Sequence, residues 1–149
     1  MYKVQDILIP SRFLIFILQV LLTITAGISH KDNILAGIDS NLTENSQEYS
    51  DGNKEFLVAL ILFYVFEAIE MGIMLSGLTL FNNKLSIVQI FFHSVCVLLL
   101  CWFNHEQWEY WSMWTEWAIG GIVPVLLEVI GLMSITMVYR KVAKVDFFY

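Results

Sequence analysis

Apolar residues occur along the chain in four long blocks that are separated by short polar stretches. The blocks cover residues 13–28, 56–81, 85–103 and 113–139. At about 1.5 Å of rise per helical residue, blocks of this length approach or exceed the thickness of a hydrocarbon layer of about 30 Å. The pattern therefore predicts an all-α integral membrane protein with four transmembrane helices, formed as a single domain over residues 1–149.

Composition excludes the other broad classes of protein. The 149 residues are 58% hydrophobic and 15% charged, with a mean hydropathy of +0.68. A soluble domain carries about 25% charged residues. No basic cluster is dense enough to bind nucleic acid. Cys96 and Cys101 lie five residues apart in the third block, on different faces of one helix, which favours small packing residues over a disulfide or a metal site.

The positions of the basic residues predict the orientation in the membrane. The net charge is −6, but most of the lysines and arginines fall on one side of a four-span arrangement: Lys3, Arg12, Lys84, Arg140, Lys141 and Lys144. Basic residues mark the cytoplasmic side, so we expect both termini in the cytoplasm and an acidic extracellular loop over residues 30–55. A cleaved signal peptide is the alternative for the first block, and its poor cleavage site favours a retained span.

Several local signals add detail to this arrangement. Asn41 begins an Asn-Leu-Thr sequon in the extracellular loop and is the candidate glycosylation site. Ser11, after Pro10, is expected to cap the first helix. Pro124 is expected to bend the fourth helix, because it leaves the carbonyl of Gly120 without its helical hydrogen bond.

Pairs of small residues on two of the spans predict close packing between helices. The pairs are Gly72 with Ser76 on the second span and Gly131 with Ser134 on the fourth. Small residues four positions apart, as at Gly72 and Ser76, let helix backbones approach one another in membranes, and Gly131 and Ser134 are three positions apart on one helix face. We expect these faces to contact neighbouring helices, including those of other membrane proteins.

All five tryptophans fall in one short stretch, at Trp102, Trp108, Trp111, Trp114 and Trp117. Tryptophan prefers the headgroup level, where its ring is buried and its N–H stays hydrated. The cluster predicts an aromatic belt at the outer membrane interface. A platform that stacks a sugar or another ligand is the less favoured alternative.

Ionisable side chains inside the apolar blocks are the candidates for chemistry. Glu67, Glu70, His93 and Glu128 are expected at membrane depth, whereas Glu116 is expected near the outer interface, within reach of water. A carboxylate at the centre of a span costs on the order of 2.5–3.5 kcal/mol. With no lysine or arginine expected at that depth, His93 is the natural hydrogen-bond partner of the acids.

Three interpretations of these four residues remain open. A buried polar network that fixes the arrangement of the helices is favoured over a proton or cation pathway, and both are favoured over catalysis. A metal site would need tighter spacing such as His-Glu-x-x-His. Phosphate loops, nucleophile elbows and Cys-x-x-Cys motifs are missing from the sequence, so we expect neither an enzyme nor a cofactor.

Short motifs distributed along nearly the whole chain resemble the transmembrane protein 107 family. They are Pro10-Ser11-Arg12-Phe13-Leu14, Glu70, Leu75-Ser76-Gly77, Phe81-Asn82, His93, Glu106-Gln107-Trp108-Glu109, and Pro124 with Glu128. Glu67 and the richer tryptophan cluster depart from that pattern. The resemblance implies a non-enzymatic membrane scaffold of the ciliary transition zone, which supports cilium assembly and gates the membrane-protein composition of the cilium.

The same resemblance implies the partners and the location. The expected partners are other transmembrane and membrane-associated transition-zone proteins of the Meckel syndrome module, together with the lipid bilayer. The expected location is the membrane of the transition zone. The alternative function, taken from the residues alone, is a small proton- or cation-coupled carrier or channel that uses the intramembrane carboxylates.

Overall fold

A computed structural model describes residues 4–38, 44 and 46–146, with side chains described as far as Val138. Its helices are α1 (Val4–Ala36), α2 (Gln47–Leu75), α3 (Asn83–Glu106), α4 (Met113–Trp117) and α5 (Val123–Asp146). Within the described residues, four helical segments are long and apolar enough to cross a membrane, the fourth running over Tyr110–Val138. The predicted fold class, an all-α membrane protein with four spans, is therefore confirmed.

Helix α1 is longer at both ends than the first apolar block. It is already helical at Val4 and contains Pro10 in its interior, so the prediction that Ser11 caps its start was wrong. Proline lacks an N–H and removes one bond, to the carbonyl four residues earlier. One lost bond near a helix start does not stop a 33-residue helix, because the other turns keep their hydrogen bonds.

The connection between α1 and α2 is shorter than the predicted loop over residues 30–55. Helix α1 continues to Ala36, and α2 begins at Gln47. Ser46 caps α2, since its hydroxyl accepts a hydrogen bond from the backbone N–H of Tyr49 at 3.2 Å. Polar residues that flank the apolar blocks therefore also form helix, at the end of α1 and at the start of α2.

Helix α2 ends at Leu75, six residues before the predicted end of the second span at Phe81. Gly77 has a φ of +75°, a conformation in which glycine carries no steric penalty and which commonly ends helices. Helix α3 then starts after Asn82, whose side chain accepts a hydrogen bond from the N–H of Leu85 at 3.3 Å. The connection therefore covers residues 76–82. Of the polar stretch between the second and third apolar blocks, only Asn82 belongs to it, and Asn83 and Lys84 begin α3.

The fourth span is a composite of three helix types. A 3₁₀ turn (Tyr110–Ser112) leads into α4, a π-helical turn (Ala118–Ile122) follows, and α5 begins at Val123. The π turn lies directly before Pro124. Wide turns of this kind are rare and occur often at functional sites.

Contacts between side chains show how the helices are arranged. Helix α1 packs along α3 in parallel, since Gln19 meets His93 and Asn33 meets Phe103. It runs antiparallel to α2, because Thr23 contacts Glu67 while His30, later in α1, stacks on Phe56, earlier in α2. The apolar core lies toward the end of the bundle that carries the α1–α2 connection, which we call the loop end, and is formed by Ala26, Phe56, Ala59, Leu60, Phe63, Cys96, Leu100, Phe103 and Met113.

Candidate functional site: a buried polar network

Helix α1 carries a line of buried polar side chains that sequence reasoning missed. Arg12, Gln19, Thr23 and Asn33 are each no more than 1% exposed. Their positions differ by seven, four and ten residues, which places them on one face of a helix. A polar stripe along an otherwise apolar span was the available signal, and it points into the bundle rather than toward lipid.

Glu67 of α2 is held by two side chains of this stripe. The hydroxyl of Thr23 donates to Oε1 of Glu67 at 2.9 Å, and Nε2 of Gln19 donates to the same oxygen at 3.3 Å. Glu67 is 4% exposed, and its Oε2 has no hydrogen-bond partner among the described residues. Glu67 is therefore part of the network.

Gln19 also satisfies the backbone at the π turn. Its Nε2 donates to the carbonyl oxygen of Gly120 at 3.1 Å, and this is the carbonyl that Pro124 leaves without its helical bond. Because Nε2 faces two acceptors, the amide orientation is fixed, and Oε1 of Gln19 must point the other way. That oxygen lies 2.9 Å from Nδ1 of His93.

His93 therefore has a hydrogen-bond partner at both ring nitrogens. Nδ1 donates to Gln19, and Nε2 lies 2.7 Å from Oε1 of Glu70. The His93–Glu70 pair then holds one shared proton, as an imidazolium with a carboxylate or as an imidazole with a carboxylic acid. Phe16 of α1 packs edge-on against the His93 ring, with 5.6 Å between ring centroids.

Arg12 corrects one prediction about the charges at membrane depth. It was expected as a cytoplasmic flanking residue, and no cation was expected near the acids. Arg12 is instead 1% exposed and forms an ion pair with Glu128 of α5, which is fully buried. It also interacts electrostatically with Glu70. A positive charge thus lies near two of the carboxyl groups of the network, those of Glu128 and Glu70.

Gln89 of α3 completes this end of the network. Its Nε2 donates to the carbonyl of Pro124 at 2.9 Å and to Oε1 of Glu128 at 3.3 Å. The structure thus brings together Glu67, Glu70 and His93 through Gln19, and Glu128 through Arg12. All four helical segments that could span a membrane supply at least one member.

Glu116 was expected to reach water, and that prediction was wrong. It lies in α4, is 1% exposed, and neither carboxyl oxygen has a hydrogen-bond partner among the described residues. The short α4 turns this side chain inward. The thiol of Cys96 contacts the Glu116 carbonyl at 3.9 Å.

The predicted small-residue pairs occupy two different environments. A Cβ atom added to Gly72 would meet nothing within 4 Å, and Ser76 is exposed. Gly131 is buried, and a Cβ there would lie 2.7 Å from the Leu85 side chain of α3. Ser134 is exposed and bonds the carbonyl of Ile130 at 2.8 Å. The α2 pair is therefore open to neighbouring molecules, whereas Gly131 packs inside the bundle.

The tryptophans contact the loop end of the bundle. Trp114 donates from Nε1 to Glu55 at 3.2 Å and packs edge-on against Trp117. Trp102 stacks on Trp108 with 5.9 Å between ring centroids. Asn41, the predicted glycosylation site, lies outside the described residues.

The chemistry available to this site is limited by how its members are paired. Among the described residues, no group of three or more histidine, cysteine or acidic side chains is arranged to hold a metal ion. Cys96 and Cys101 are free, one buried and one exposed. The carboxyl groups of Glu67, Glu70 and Glu128 bond to side chains of other helices, so the arrangement connects helices rather than lining an open cleft.

Comparisons with known proteins agree with this architecture. A family model described as TMEM107, a transmembrane protein, matches residues 8–132. The chain is similar to the protein named Transmembrane protein 107 of Xenopus laevis, with 28% identity over 90% of this chain and 94% of that protein. It is 30% identical to the Rattus norvegicus protein of that name over 81% and 85%, and 32% identical to the Homo sapiens protein over 68% and 71%. No solved structure matches.

Proposed function

Since the chain belongs to the transmembrane protein 107 family, we propose that it is a non-enzymatic scaffold in the membrane of the ciliary transition zone. In this role it supports cilium assembly and the control of ciliary membrane-protein composition. It acts through contacts with other transition-zone proteins. These partners belong to the Meckel syndrome module, as the family resemblance implies. The observation that carries the proposal is the family match, which covers the buried polar network from Arg12 to Glu128.

The network supports a scaffold because it fixes the positions of the helices relative to one another. Apolar contacts in lipid discriminate poorly between alternative helix arrangements, since lipid tails are as apolar as the side chains. Hydrogen bonds between side chains are directional. The bonds from Gln19 to Glu67, to Gly120 and to His93 connect four segments through one residue.

Outside the network, the helices present large apolar side chains and one open small-residue face. Leu75, Val65 and Ile69 of α2 are each more than 40% exposed. Gly72 lies between Ile69 and Leu75 along the same helix, and no side chain among the described residues covers it. A helix of another membrane protein can approach the α2 backbone closely there.

The competing function is a proton- or cation-coupled carrier that uses the buried carboxyl groups. The Arg12 guanidinium disfavours a cation path, because a cation passing Glu70 and Glu128 would meet a fixed positive charge. Nδ1 of His93 faces the amide oxygen of Gln19, which is a very weak base, so the imidazole has no titratable group on that side to which it could pass a proton. These contacts favour the scaffold.

Localisation is the test of the proposed function. A tagged full-length protein expressed in ciliated cells is expected to concentrate in a narrow band at the cilium base. Gly72→Leu is expected to keep the fold and reduce the recovery of co-isolated membrane proteins, with Val58→Leu on the same helix as a matched control at an exposed position. Diffuse staining of the plasma membrane or endoplasmic reticulum by the unmutated protein would contradict the proposal.

Flux measurements separate the carrier from the scaffold. Purified protein in liposomes is expected to give no proton or cation flux under an imposed gradient. A flux that Glu70→Gln abolishes, with the fold retained, would establish the carrier instead. The orientation has a separate test, since Asn41→Gln removes a glycosidase-sensitive mass shift if the first loop is lumenal and its sequon is used.

A further inference from the structure

A cavity of about 440 Å³ opens at the loop end, beside the turn that joins α3 to the fourth span. It is lined by Ala36, Gln107, Trp108, Glu109, Trp111 and Ser112. It is separate from the buried polar network, whose members do not line it. Neither the proposed scaffold role nor the network explains why two indole rings and a carboxylate share one cavity.

The lining favours a cation over an anion. Indole rings attract positive charge to their faces, and tryptophan does so more strongly than the other aromatic residues. Glu109 adds a negative charge, and its carboxylate forms no ion pair or hydrogen bond with the described residues. The lysines of the loop end do not neutralise Glu109, since Lys31 forms an ion pair with Glu44 and Lys54 forms one with Asp51.

Hydrogen bonds to backbone carbonyls hold the walls of the cavity in place. Nδ2 of Asn33 donates to the carbonyl of Trp108 at 2.8 Å. The backbone N–H and the hydroxyl of Ser112 both donate to the carbonyl of Glu109, at 2.9 and 2.8 Å. Trp102 stacks on Trp108 and restricts its ring. A fixed lining binds its ligand with less loss of conformational entropy than a mobile one.

The two indole rings of the cavity favour a quaternary ammonium over a primary ammonium. A lysine-like ammonium is strongly hydrated and would lose that hydration against two indoles. A quaternary ammonium carries its charge on methyl groups, and aromatic cages are its usual recognition site. The surrounding tryptophans lie where a membrane–water interface is expected, which is the level of lipid headgroups.

We propose that this cavity binds the trimethylammonium group of a choline headgroup, with Trp108 and Trp111 against the methyl groups and Glu109 supplying the opposite charge. Trp111 is 55% exposed and so remains accessible from the interface. Phosphatidylcholine in the bilayer and free phosphocholine both carry the group. The two sources are distinguished by separate measurements.

The first measurement uses lipid and the full-length protein in maltoside micelles. The protein is incubated with equal amounts of phosphatidylcholine and phosphatidylethanolamine of the same acyl chains, and retained lipid is counted by native mass spectrometry. The choline lipid is expected to be retained preferentially. Glu109→Gln and Trp111→Leu should each lower that preference about threefold to tenfold, and Glu106→Gln, an exposed acid that does not line the cavity, should leave it unchanged.

The second measurement titrates soluble phosphocholine and phosphoethanolamine while tryptophan fluorescence is followed. A preference for phosphocholine that Glu109→Gln lowers shows that the site also accepts the free group. A preference seen only with lipid assigns the site to the bilayer. Equal retention of the two lipids together with equal affinity for the two soluble compounds would overturn the proposal, as would an equal loss in Glu106→Gln and Glu109→Gln. Both glutamates are exposed, so these variants are expected to fold.

Discussion

Removing the guanidinium of Arg12 should destabilise the protein more than any other single change of charge in it. Arg12→Met leaves Glu128 fully buried with only the amide of Gln89 as a partner. Removing one member of a buried ion pair costs about 3–5 kcal/mol, because the remaining charge keeps its desolvation penalty. Glu128→Gln should cost less, because Arg12 retains its electrostatic interaction with Glu70. We therefore expect Arg12→Met to lower the free energy of unfolding more than Glu128→Gln does.

The assay is unfolding of the purified protein by SDS in mixed micelles, followed by far-ultraviolet circular dichroism. The double variant Arg12→Met with Glu128→Leu should recover most of the stability lost in Arg12→Met, because no unpaired charge remains. Lys54→Met, which breaks the exposed pair with Asp51, is the control and should cost less than about 1 kcal/mol. Equal stability of Arg12→Met and Lys54→Met would refute the reasoning.

Three further changes test the packing around the network. Gly120→Ala should destabilise the fold by about 1–3 kcal/mol, since its Cβ would overlap Sγ of Cys96. Gly72→Ala, whose Cβ meets nothing, should stabilise the fold by up to about 1 kcal/mol. Thermal unfolding that ranks the two variants in the opposite order would contradict this. His93→Phe, which leaves Glu70 buried without its partner, should lower the unfolding temperature by several degrees. Asn33→Ala should speed hydrogen exchange at the turn after α3 while leaving the centre of α3 protected.

The four spans could be predicted because each apolar block has the length and composition that lipid imposes on a helix. Their ends could not, because local hydrogen bonds and turn geometry place them. Gly77 ends α2 within a stretch that is still apolar, and Ser46 starts α2 within a stretch that is polar. Hydropathy reports where lipid contacts the chain, and helix caps form on either side of that boundary.

The acidic members of the network were identifiable, because a carboxylate inside an apolar block requires an explanation. Their partners were harder to find. Gln19 and Thr23 are uncharged, and two such residues do not change the apolar character of the span in which they lie. Arg12 stands at the edge of its block, where a basic residue is the usual sign of the cytoplasmic side. Only the fold brings Glu128 of α5 to it, and that pairing spans most of the chain.

The π turn in the fourth span explains why α1 carries a glutamine at position 19. Pro124 deprives the Gly120 carbonyl of its helical bond, and an unsatisfied carbonyl in lipid costs several kcal/mol. Gln19 supplies the missing donor, and the same amide group reaches Glu67 and His93. Replacing Gln19 therefore leaves three groups on three helices short of a partner at once. Such a residue fixes the register of the bundle, and this rigidity is what the proposed scaffold role requires.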